Sequence, residues 1–265
     1  MLHLTASTAV SASDDSVPAV LLFLPGFMSS AQSYRALLEP VAAGGTDVTV
    51  PQLYARGPAA MLGRISVVAE AELAVEALIQ LAAQSPGSKI FLGGHSRGGQ
   101  AAWRAANLLA AQRETVGLLS GLVLIDPVDG AGRNPTVPTA TATTAEFNVP
   151  TLIIGAGIGG ACAPEPVNHM VFAAATPHAR HVVVRQMGHA DMLDDRARAF
   201  GRKLCGGAAE PDQGRMLASS LVRAFVKDPM VFAGSVFAGS AVAELAVAEL
   251  DSAVTSPDGA LVWLR

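Results

Sequence analysis

Short apolar runs alternate along the chain with longer segments whose apolar positions recur at helical spacing. The short runs show no polar alternation, which is typical of parallel strands that are covered on both faces. They span residues 20–24, 47–50, 89–93, 122–125, 151–154 and 181–185. This alternation predicts an α/β fold with a mainly parallel central sheet and helices on both faces.

Three helices are predicted from the same pattern. Residues 67–82 carry an apolar stripe with a period of 3.6 residues, and Glu70 is one of the acidic residues near its start. Further helices are expected over residues 100–112 and around 217–225. At most one edge strand fits before the first run, and no linker divides the chain. We therefore expect one domain over residues 1–265.

Two segments lack this periodicity. Residues 129–148 are rich in Gly, Pro and Thr, and they are predicted to form a long surface loop that shapes the site. Residues 231–250 contain two tandem pentapeptides, VFAGS twice and AVAEL twice. These repeats are too short to be structural units, so we expect residues 229–265 to form a small-residue helical tail.

The composition argues against several classes of protein. The 265 residues carry 18 Lys and Arg against 22 Asp and Glu, a net charge of −4, which disfavours an electrostatic grip on nucleic acid. Apolar residues make up 51% and mean hydropathy is +0.39. No segment approaches about 18 uninterrupted apolar residues. We expect neither disorder nor a membrane span, whereas peripheral membrane contact is compatible with this composition.

Targeting and redox signals are weak. Residues 1–18 contain no basic segment followed by an apolar run, so no secretory signal is predicted. They also lack arginine and carry Asp14 and Asp15, a poor fit for a transit peptide. The two cysteines, Cys162 and Cys205, allow one disulfide at most, and we favour two buried thiols in a reducing compartment.

The strongest chemical signal is the segment GHSRG at residues 94–98, a G-x-S-x-G pattern. A predicted strand leads directly into it, and a predicted helix follows. Such a junction places the serine on a sharp turn, where small flanking residues let the backbone bend and expose the hydroxyl. The context predicts that Ser96 is a nucleophile rather than an incidental serine in a glycine-rich turn.

A serine nucleophile needs a base, and the chain has six histidines. His189 follows Gly188 just after the last predicted strand, where the α/β-hydrolase order Ser…Asp…His places its base. His181 is expected within that strand and His178 in the turn before it. His169 is a candidate for a supporting position. We therefore assign the base to His189.

Three carboxylates compete as the third member of the triad. Asp126 stands at the end of the run 122–125, where it can hold the imidazole in the productive tautomer. Its alternative role is as a turn former before proline. Asp129 is a rival three residues further on, and Glu165 is the nearest carboxylate after the run 151–154. Asp126 is favoured.

Acyl transfer also needs donors for the developing oxyanion. The backbone N–H of Arg97, the residue after the nucleophile, is one candidate. The N–H of Phe27, in the turn after the first strand, is the other. The side chains of Phe27 and Met28 are equally compatible with plain packing, because only the backbone is needed.

Other site chemistries lack support. The segment GAGIGG at residues 155–160 matches a dinucleotide fingerprint. However, the Cys-Ala-Pro at 162–164 interrupts the helix that would meet a pyrophosphate, and no acid follows at about 20 residues. No H-E-x-x-H, paired C-x-x-C or P-loop lysine motif is present. We expect no metal, nucleotide or other cofactor.

Several segments together resemble the chlorophyllase family, α/β-hydrolases that cleave the phytyl ester of chlorophyll. They are GHSRGG (94–99), PQLY (51–54), DPVDG (126–130), CAP (162–164), VNH (167–169) and GHADMLDD (188–195). The resemblance implies the α/β-hydrolase fold and a triad of Ser96, Asp126 and His189. The family's usual His-Gly before the oxyanion turn is Pro-Gly at residues 25–26 here.

The resemblance also implies a substrate and a location. The reaction would yield chlorophyllide and phytol, in a chloroplast or a cyanobacterial cell. Phe23, Phe27, Met28 and the loop 129–148 are candidates to border an apolar groove for such a substrate. The alternatives are a general carboxylesterase, lipase or polyester hydrolase with the same triad, and a hydrolase-like binding protein without activity. The complete triad argues against the binding protein.

Overall fold

The structure is a computed structural model that describes residues 1–6, 17–54, 66–130, 137–230 and 261–263. Within these residues one eight-stranded sheet has the strand order β1-β3-β2-β4-β5-β6-β7-β8. Its strands are β1 (Leu2–Leu4), β2 (Ala19–Leu24), β3 (Thr46–Val50), β4 (Lys89–His95), β5 (Gly121–Ile125), β6 (Thr151–Ile158), β7 (Arg180–Gly188) and β8 (Leu261–Trp263). The six predicted strands are β2 to β7.

The strands β2 to β7 run parallel, and their carboxyl ends therefore lie along one edge of the sheet. Strand β1 pairs antiparallel with β3 and is the additional edge strand that the sequence allowed. Strand β8 pairs antiparallel with β7, with Val182 opposite Trp263. Residues 261–263 are thus a strand and not part of a helical tail, because the outer edge of β7 offers backbone donors and acceptors that an extended segment can pair with. Residues 231–260 lie outside the described residues.

Six α-helices connect the strands in the described part of the chain. They are α1 (Arg35–Ala43), α2 (Val67–Gln84), α3 (Arg97–Ala110), α4 (His169–Ala175), α5 (Asp195–Cys205) and α6 (Pro211–Lys227). The three predicted helices correspond to α2, α3 and α6. Helix α2 begins after Ser66, whose side chain accepts the Ala69 N–H at 3.1 Å. Helix α3 begins directly after Ser96, three residues earlier than predicted, because its glycine-rich first turn hides the helical pattern.

Helices cover both faces of the sheet. Alternate residues of β2 point to opposite faces: Leu21 and Phe23 pack in a core with α1 and α6, whereas Leu22 and Leu24 pack with α2 and α3. Apolar residues at consecutive strand positions are the expected result of burial on both sides. The predicted α/β architecture, with a mainly parallel sheet, is confirmed.

The glycine-rich segment at residues 155–160 begins inside a strand, which continues beyond the predicted run 151–154. Strand β6 continues to Ile158, and the glycines allow close approach of neighbouring groups. A Cβ on Gly155 would lie 2.5 Å from the His169 ring, and one on Gly157 would lie 2.5 Å from the Arg185 Cα. The resemblance to a dinucleotide fingerprint therefore reflects strand packing.

The two cysteines form a disulfide, so the prediction of free thiols is wrong. Cys162, in the loop after β6, is bonded to Cys205 at the end of α5, with a sequence separation of 43 residues. The loop passes directly against that helix end, since a Cβ on Gly160 would collide with the Cys205 carbonyl oxygen. This approach depends on how α5 packs after β7, which spacing alone does not reveal.

We expect this disulfide to stabilise the fold. A cross-link that closes a loop of this length raises the free energy of unfolding by about 2–4 kcal/mol. Urea unfolding of the wild type should therefore shift to a lower midpoint when dithiothreitol is added. The double variant Cys162→Ala/Cys205→Ala should unfold near that lower midpoint and not respond to the reductant. An unchanged wild-type midpoint in reductant would contradict this prediction.

Candidate active site

Three of the predicted site residues follow neighbouring parts of the sheet at its carboxyl edge. Ser96 comes directly after β4, Asp126 directly after β5 and His189 directly after β7. Because these strands are parallel, the three residues emerge at the same edge although they are far apart in sequence. Strand β6 lies between β5 and β7. The side chains of Asp126 and His189 span the distance between the ends of those two strands.

Ser96 occupies a sharp turn between β4 and α3. Its φ is 56° and its ψ is −125°, a strained backbone for a residue with a side chain. The flanking glycines are required by close packing, because a Cβ on Gly98 would collide with the Leu24 carbonyl and one on Gly94 would collide with Gly98. The strand–turn–helix geometry is that of a nucleophile elbow.

The three side chains form a line of hydrogen bonds. Ser96 Oγ lies 3.0 Å from His189 Nε2, and His189 Nδ1 lies 2.6 Å from Asp126 Oδ2. An ionised carboxylate only accepts, so Nδ1 carries the proton and Nε2 is left to accept the serine hydroxyl. The fold thus brings together the serine, histidine and aspartate that the sequence selected.

Asp126 is held in its ionised form. Burial opposes the charge, but the hydrogen bonds that the carboxylate accepts from His189 and from the Ala156 N–H outweigh it and lower the pKa of the Asp126 carboxyl. The second oxygen, Oδ1, accepts the Ala156 N–H at 3.0 Å. Among the described residues, three non-glycine residues have a positive φ: Met28 (59°), Ser96 (56°) and Asp126 (39°). Two of them are members of this hydrogen-bonded line.

Neither rival carboxylate is used in this line. Asp129 is fully buried, and its oxygens accept the Gln100 side chain at 2.6 Å and the Ala140 and Thr141 N–H groups at 2.8 Å each. These N–H groups lower the pKa of Asp129 despite its burial. Glu165 is exposed at the start of a short 3-10 turn. Asp129 therefore organises the loop that follows it.

The loop 129–148 is more buried than the predicted surface loop. Its described residues include Ala140 and Phe147, which are buried in the core on the α2 and α3 face. The Phe147 ring meets the Trp103 ring edge-on, with centroids 5.9 Å apart. Residues 131–136 lie outside the described residues. Asp129 at one end and Phe147 at the other therefore hold the described part of this loop close to α3.

The sequence-predicted oxyanion donors lie on two segments beside Ser96. Arg97 is the first residue of α3 and directly follows Ser96. Phe27 lies in the turn closed by the Ser29 N–H to the Gly26 carbonyl at 3.0 Å. A Cβ on Gly26 would lie 3.2 Å from the Ser96 Cβ, which places this turn against the serine.

The predicted groove residues differ in their exposure. Phe23 is fully buried in the core, so its proposed place in a substrate groove is wrong: it lies on the α1 and α6 face of β2. Phe27 is half-buried and Met28 is 49% exposed. Met28 and Phe27 therefore remain as accessible apolar residues in the turn beside Ser96.

A buried histidine next to the serine was not singled out in the sequence. His95 Nε2 lies 3.0 Å from the His189 carbonyl, and its Nδ1 lies 2.8 Å from the Tyr34 hydroxyl. The carbonyl only accepts, so Nε2 donates and Nδ1 accepts from Tyr34. The Tyr34 oxygen in turn accepts the Gly26 N–H at 2.7 Å. The oxyanion turn and the His189 segment are thus tied through His95.

His95 stays neutral in this position. Burial, the largest cause, lowers the pKa of His95 to about 3. A neutral ring supplies one donor and one acceptor, which is what the carbonyl and the hydroxyl require. The sequence signal that could have identified His95 was its position at the end of the buried strand β4.

His169 lies behind the aspartate. It is buried, and its Nδ1 is 2.8 Å from His181 Nε2. Burial lowers the pKa of His169, and the opposing charge of Asp126 does not restore it. His181 lies in β7 and His178 in the turn before it, as the sequence predicted.

Comparison with known proteins identifies the family. Residues 9–250 match the family model described as Chlorophyllase. The chain belongs to the chlorophyllase family. It is 33% identical over 230 residues to Chlorophyllase-1, chloroplastic, of Citrus unshiu, covering 79% of this chain and 68% of that relative. It is 32% identical over 230 residues to Chlorophyllase-2 of Arabidopsis thaliana, covering 78% and 72%.

Solved structures show the same fold. The ferulic acid esterase from Streptomyces cinnamoneus superposes with a TM-score of 0.58 at 18% identity, over 95% of this chain and 75% of that one. At this identity the likeness shows the fold alone, and it confirms the predicted α/β-hydrolase fold. Family membership makes the chain a carboxylic ester hydrolase, as predicted.

The chlorophyllase-like segment at residues 188–195 has a clear structural role. It carries His189, and its carboxylates anchor the surrounding backbone. Asp191 Oδ2 accepts the Gly188 N–H at 2.7 Å and the Ala208 N–H at 2.9 Å. Asp194 Oδ1 accepts the Ala36 N–H at 3.0 Å. These bonds therefore tie the segment that carries His189 to helix α1 and to the stretch before α6.

The described ranges lack two kinds of feature. Within them, no group of three or more His, Cys, Asp or Glu side chains is arranged to hold a metal ion. No helix formed by these residues has the length and apolar character needed to cross a membrane.

Proposed function

We propose that Ser96, His189 and Asp126 act as the catalytic triad of a serine esterase. The observation that carries this proposal is the line of hydrogen bonds of 3.0 and 2.6 Å at a strained turn after β4. The order and geometry are those that activate serine in α/β-hydrolases. Membership in a family of ester hydrolases supports it.

The reaction follows from these positions. Ser96 Oγ attacks the ester carbonyl carbon while its proton passes to His189 Nε2, and Asp126 stabilises the imidazolium. The Phe27 and Arg97 N–H groups receive the oxyanion of the tetrahedral intermediate. When that intermediate collapses, His189 returns the proton to the departing alcohol oxygen. Water then adds to the acyl-enzyme by the same path and releases the acid and the free Ser96 hydroxyl.

The proposed substrate is chlorophyll, whose phytyl ester would be cleaved to chlorophyllide and phytol. The family match over residues 9–250 and the names of the relatives support this choice. The accessible Phe27 and Met28 beside Ser96 give an apolar rim that a pigment or a membrane-held lipid could contact. The central magnesium belongs to the substrate and takes no part in the chemistry.

We also propose a chloroplast or a cyanobacterial cell as the location. The name of the Citrus unshiu relative, Chlorophyllase-1, chloroplastic, supports this proposal.

The test is conversion of pigment by the purified protein. Without added metal or nucleotide, the wild type should convert chlorophyll and move green pigment into the aqueous phase of an organic–aqueous partition. The magnesium-free pigment should also react, because the ester and not the metal is attacked. The Ser96→Ala variant is the control and should leave the pigment in the organic phase.

Activity on a small ester tests the serine mechanism independently of the choice of substrate. A wild type that hydrolyses p-nitrophenyl butyrate but never releases chlorophyllide would exclude the chlorophyllase activity and leave a general esterase. A wild type that acts on neither substrate and is not labelled at Ser96 by a fluorophosphonate would favour a binding protein.

A further inference from the structure

Glu70 is a buried carboxylate that the triad does not use. Its side chain is fully buried in the first turn of α2, whereas Glu72 and Glu76 of the same helix are exposed. An acidic side chain near a helix N-terminus is stabilised by the helix dipole even when it is exposed, so this position does not explain the burial of Glu70. A buried carboxylate is costly unless it is paired and hydrogen-bonded, so its partners indicate what it does.

The partners of Glu70 come from two other segments of the chain. Arg97 Nε donates to both carboxylate oxygens of Glu70, at 2.9 and 3.0 Å. The Tyr54 hydroxyl donates to Glu70 Oε1 at 3.1 Å. Tyr54 is itself buried, and the Arg97 side chain is only 18% exposed. Solvent therefore screens this pair less than it screens a surface salt bridge.

Both partners also contact Phe27. The Arg97 guanidinium lies over the Phe27 ring, with its central carbon 5.5 Å from the ring centroid. The Tyr54 ring meets the Phe27 ring edge-on, with centroids 5.7 Å apart. Glu70, Tyr54, Arg97 and Phe27 thus form one connected group, which we call the Glu70 cluster.

The Glu70 cluster joins the two residues whose N–H groups are the proposed oxyanion donors. These donors lie on separate segments, one in the turn after β2 and one at the start of α3. An oxyanion hole works only if both N–H groups converge on one point at about 2.7–3.1 Å. The Arg97 backbone is held by its helix, whereas Phe27 lies in a short turn beside the strained Met28. The side-chain contacts of Phe27 therefore have a large part in setting where its N–H points.

We propose that Glu70 is a positioning residue for the oxyanion hole: by fixing the Arg97 guanidinium and the Tyr54 ring, it holds Phe27 and its N–H in place. This inference rests on the proposed serine mechanism. Glu70 touches neither the substrate nor the triad, and it acts through the two residues that it pairs with. Its removal is therefore expected to slow the chemical step more than it weakens substrate binding.

The test is Glu70→Gln, which keeps the shape of the side chain and removes its charge. With p-nitrophenyl butyrate, kcat should fall by about tenfold or more, against about 10²–10³ for loss of an entire oxyanion donor. KM should change less than about twofold, because the ground-state ester makes little use of the hole. The inhibition constant of phenylboronic acid, which forms a tetrahedral adduct with serine, should rise by the same factor as kcat falls.

Glu72→Gln is the matched control, since Glu72 is an exposed glutamate on the same helix. It should leave kcat, KM and the boronic acid inhibition unchanged. In an Arg97→Met background, Glu70→Gln should cause a smaller loss than it causes alone, because the Arg97 link to Phe27 is already broken and only the Tyr54 link remains. Additive losses in that double variant would contradict an action through Arg97.

The outcomes separate this inference from the proposed mechanism. If Ser96→Ala keeps its activity, the serine mechanism fails. If Ser96→Ala is inactive but Glu70→Gln keeps kcat and boronic acid inhibition while its melting temperature falls, Glu70 is only structural. If Glu70→Gln does not fold, Tyr54→Phe retains the ring and removes the donor to Glu70. It should show a smaller fall in kcat with KM unchanged, and an unaltered kcat would overturn the inference.

Discussion

Replacing Ser96 by alanine should reduce ester hydrolysis by a factor of about 10⁴ or more, and His189→Ala should do the same, because the members of a triad act as a unit. In the proposed mechanism the serine hydroxyl is the attacking group, and His189 Nε2, 3.0 Å away, accepts its proton. Loss of either leaves only substrate binding and the oxyanion donors. The measurement is kcat/KM for p-nitrophenyl butyrate, with circular dichroism to verify the fold.

Labelling with a fluorophosphonate gives a second readout. The wild type should be labelled at Ser96, His189→Ala far more slowly, and Ser96→Ala not at all. Ser88→Ala is the matched control, since Ser88 lies just before the other end of the same strand β4. It should behave as the wild type does. Near-normal hydrolysis by Ser96→Ala would show that the nucleophile has been assigned wrongly.

Asp126→Asn should lower kcat by about 10⁴, the effect that the equivalent change has in a serine protease. The carboxylate accepts the Nδ1 proton of His189 at 2.6 Å. An amide can present its N–H₂ group instead, which favours the tautomer that carries a proton on Nε2. That tautomer cannot accept the Ser96 hydroxyl proton. The fold should be retained, because the amide keeps the shape of the side chain.

Two comparison variants test this assignment. Asp129→Asn should lower the melting temperature, because its oxygens hold the backbone of Ala140 and Thr141. Its kcat should stay far above that of Asp126→Asn, since Asp129 does not contact the triad. Glu165→Gln alters an exposed side chain and should change neither quantity. A larger loss of kcat from either variant would transfer the acid role to that position.

Much of the framework could be predicted from local patterns. Uninterrupted apolar runs indicate strands buried on both faces, and parallel strands necessarily present their carboxyl ends at one edge. Ser96, Asp126 and His189 each follow such a run, so their convergence was expected from order alone. The elbow was recognisable for the same reason, since a strand, a glycine-flanked serine and a helix are all neighbours in sequence.

Features that depend on approach between distant segments could not be predicted in this way. Asp126 and Asp129 are three residues apart, and only the fold shows that one meets His189 while the other meets the loop that follows it. Phe23 and Phe27 are equally apolar in sequence, but Phe23 is fully buried whereas Phe27 is half-buried in the turn beside Ser96.

The α/β class, the succession of strands along the chain and the residues at the strand ends could be predicted from the sequence alone, because these depend on periodicity and on local turns. Three features are visible only in the three-dimensional fold: Glu70 is buried against Arg97, Cys162 meets Cys205, and residues 261–263 pair with β7. Each of these depends on which segments, distant in sequence, lie next to each other in the fold. A one-dimensional pattern shows that a residue is charged, small or apolar, whereas its partner is set by packing between segments that are distant in sequence.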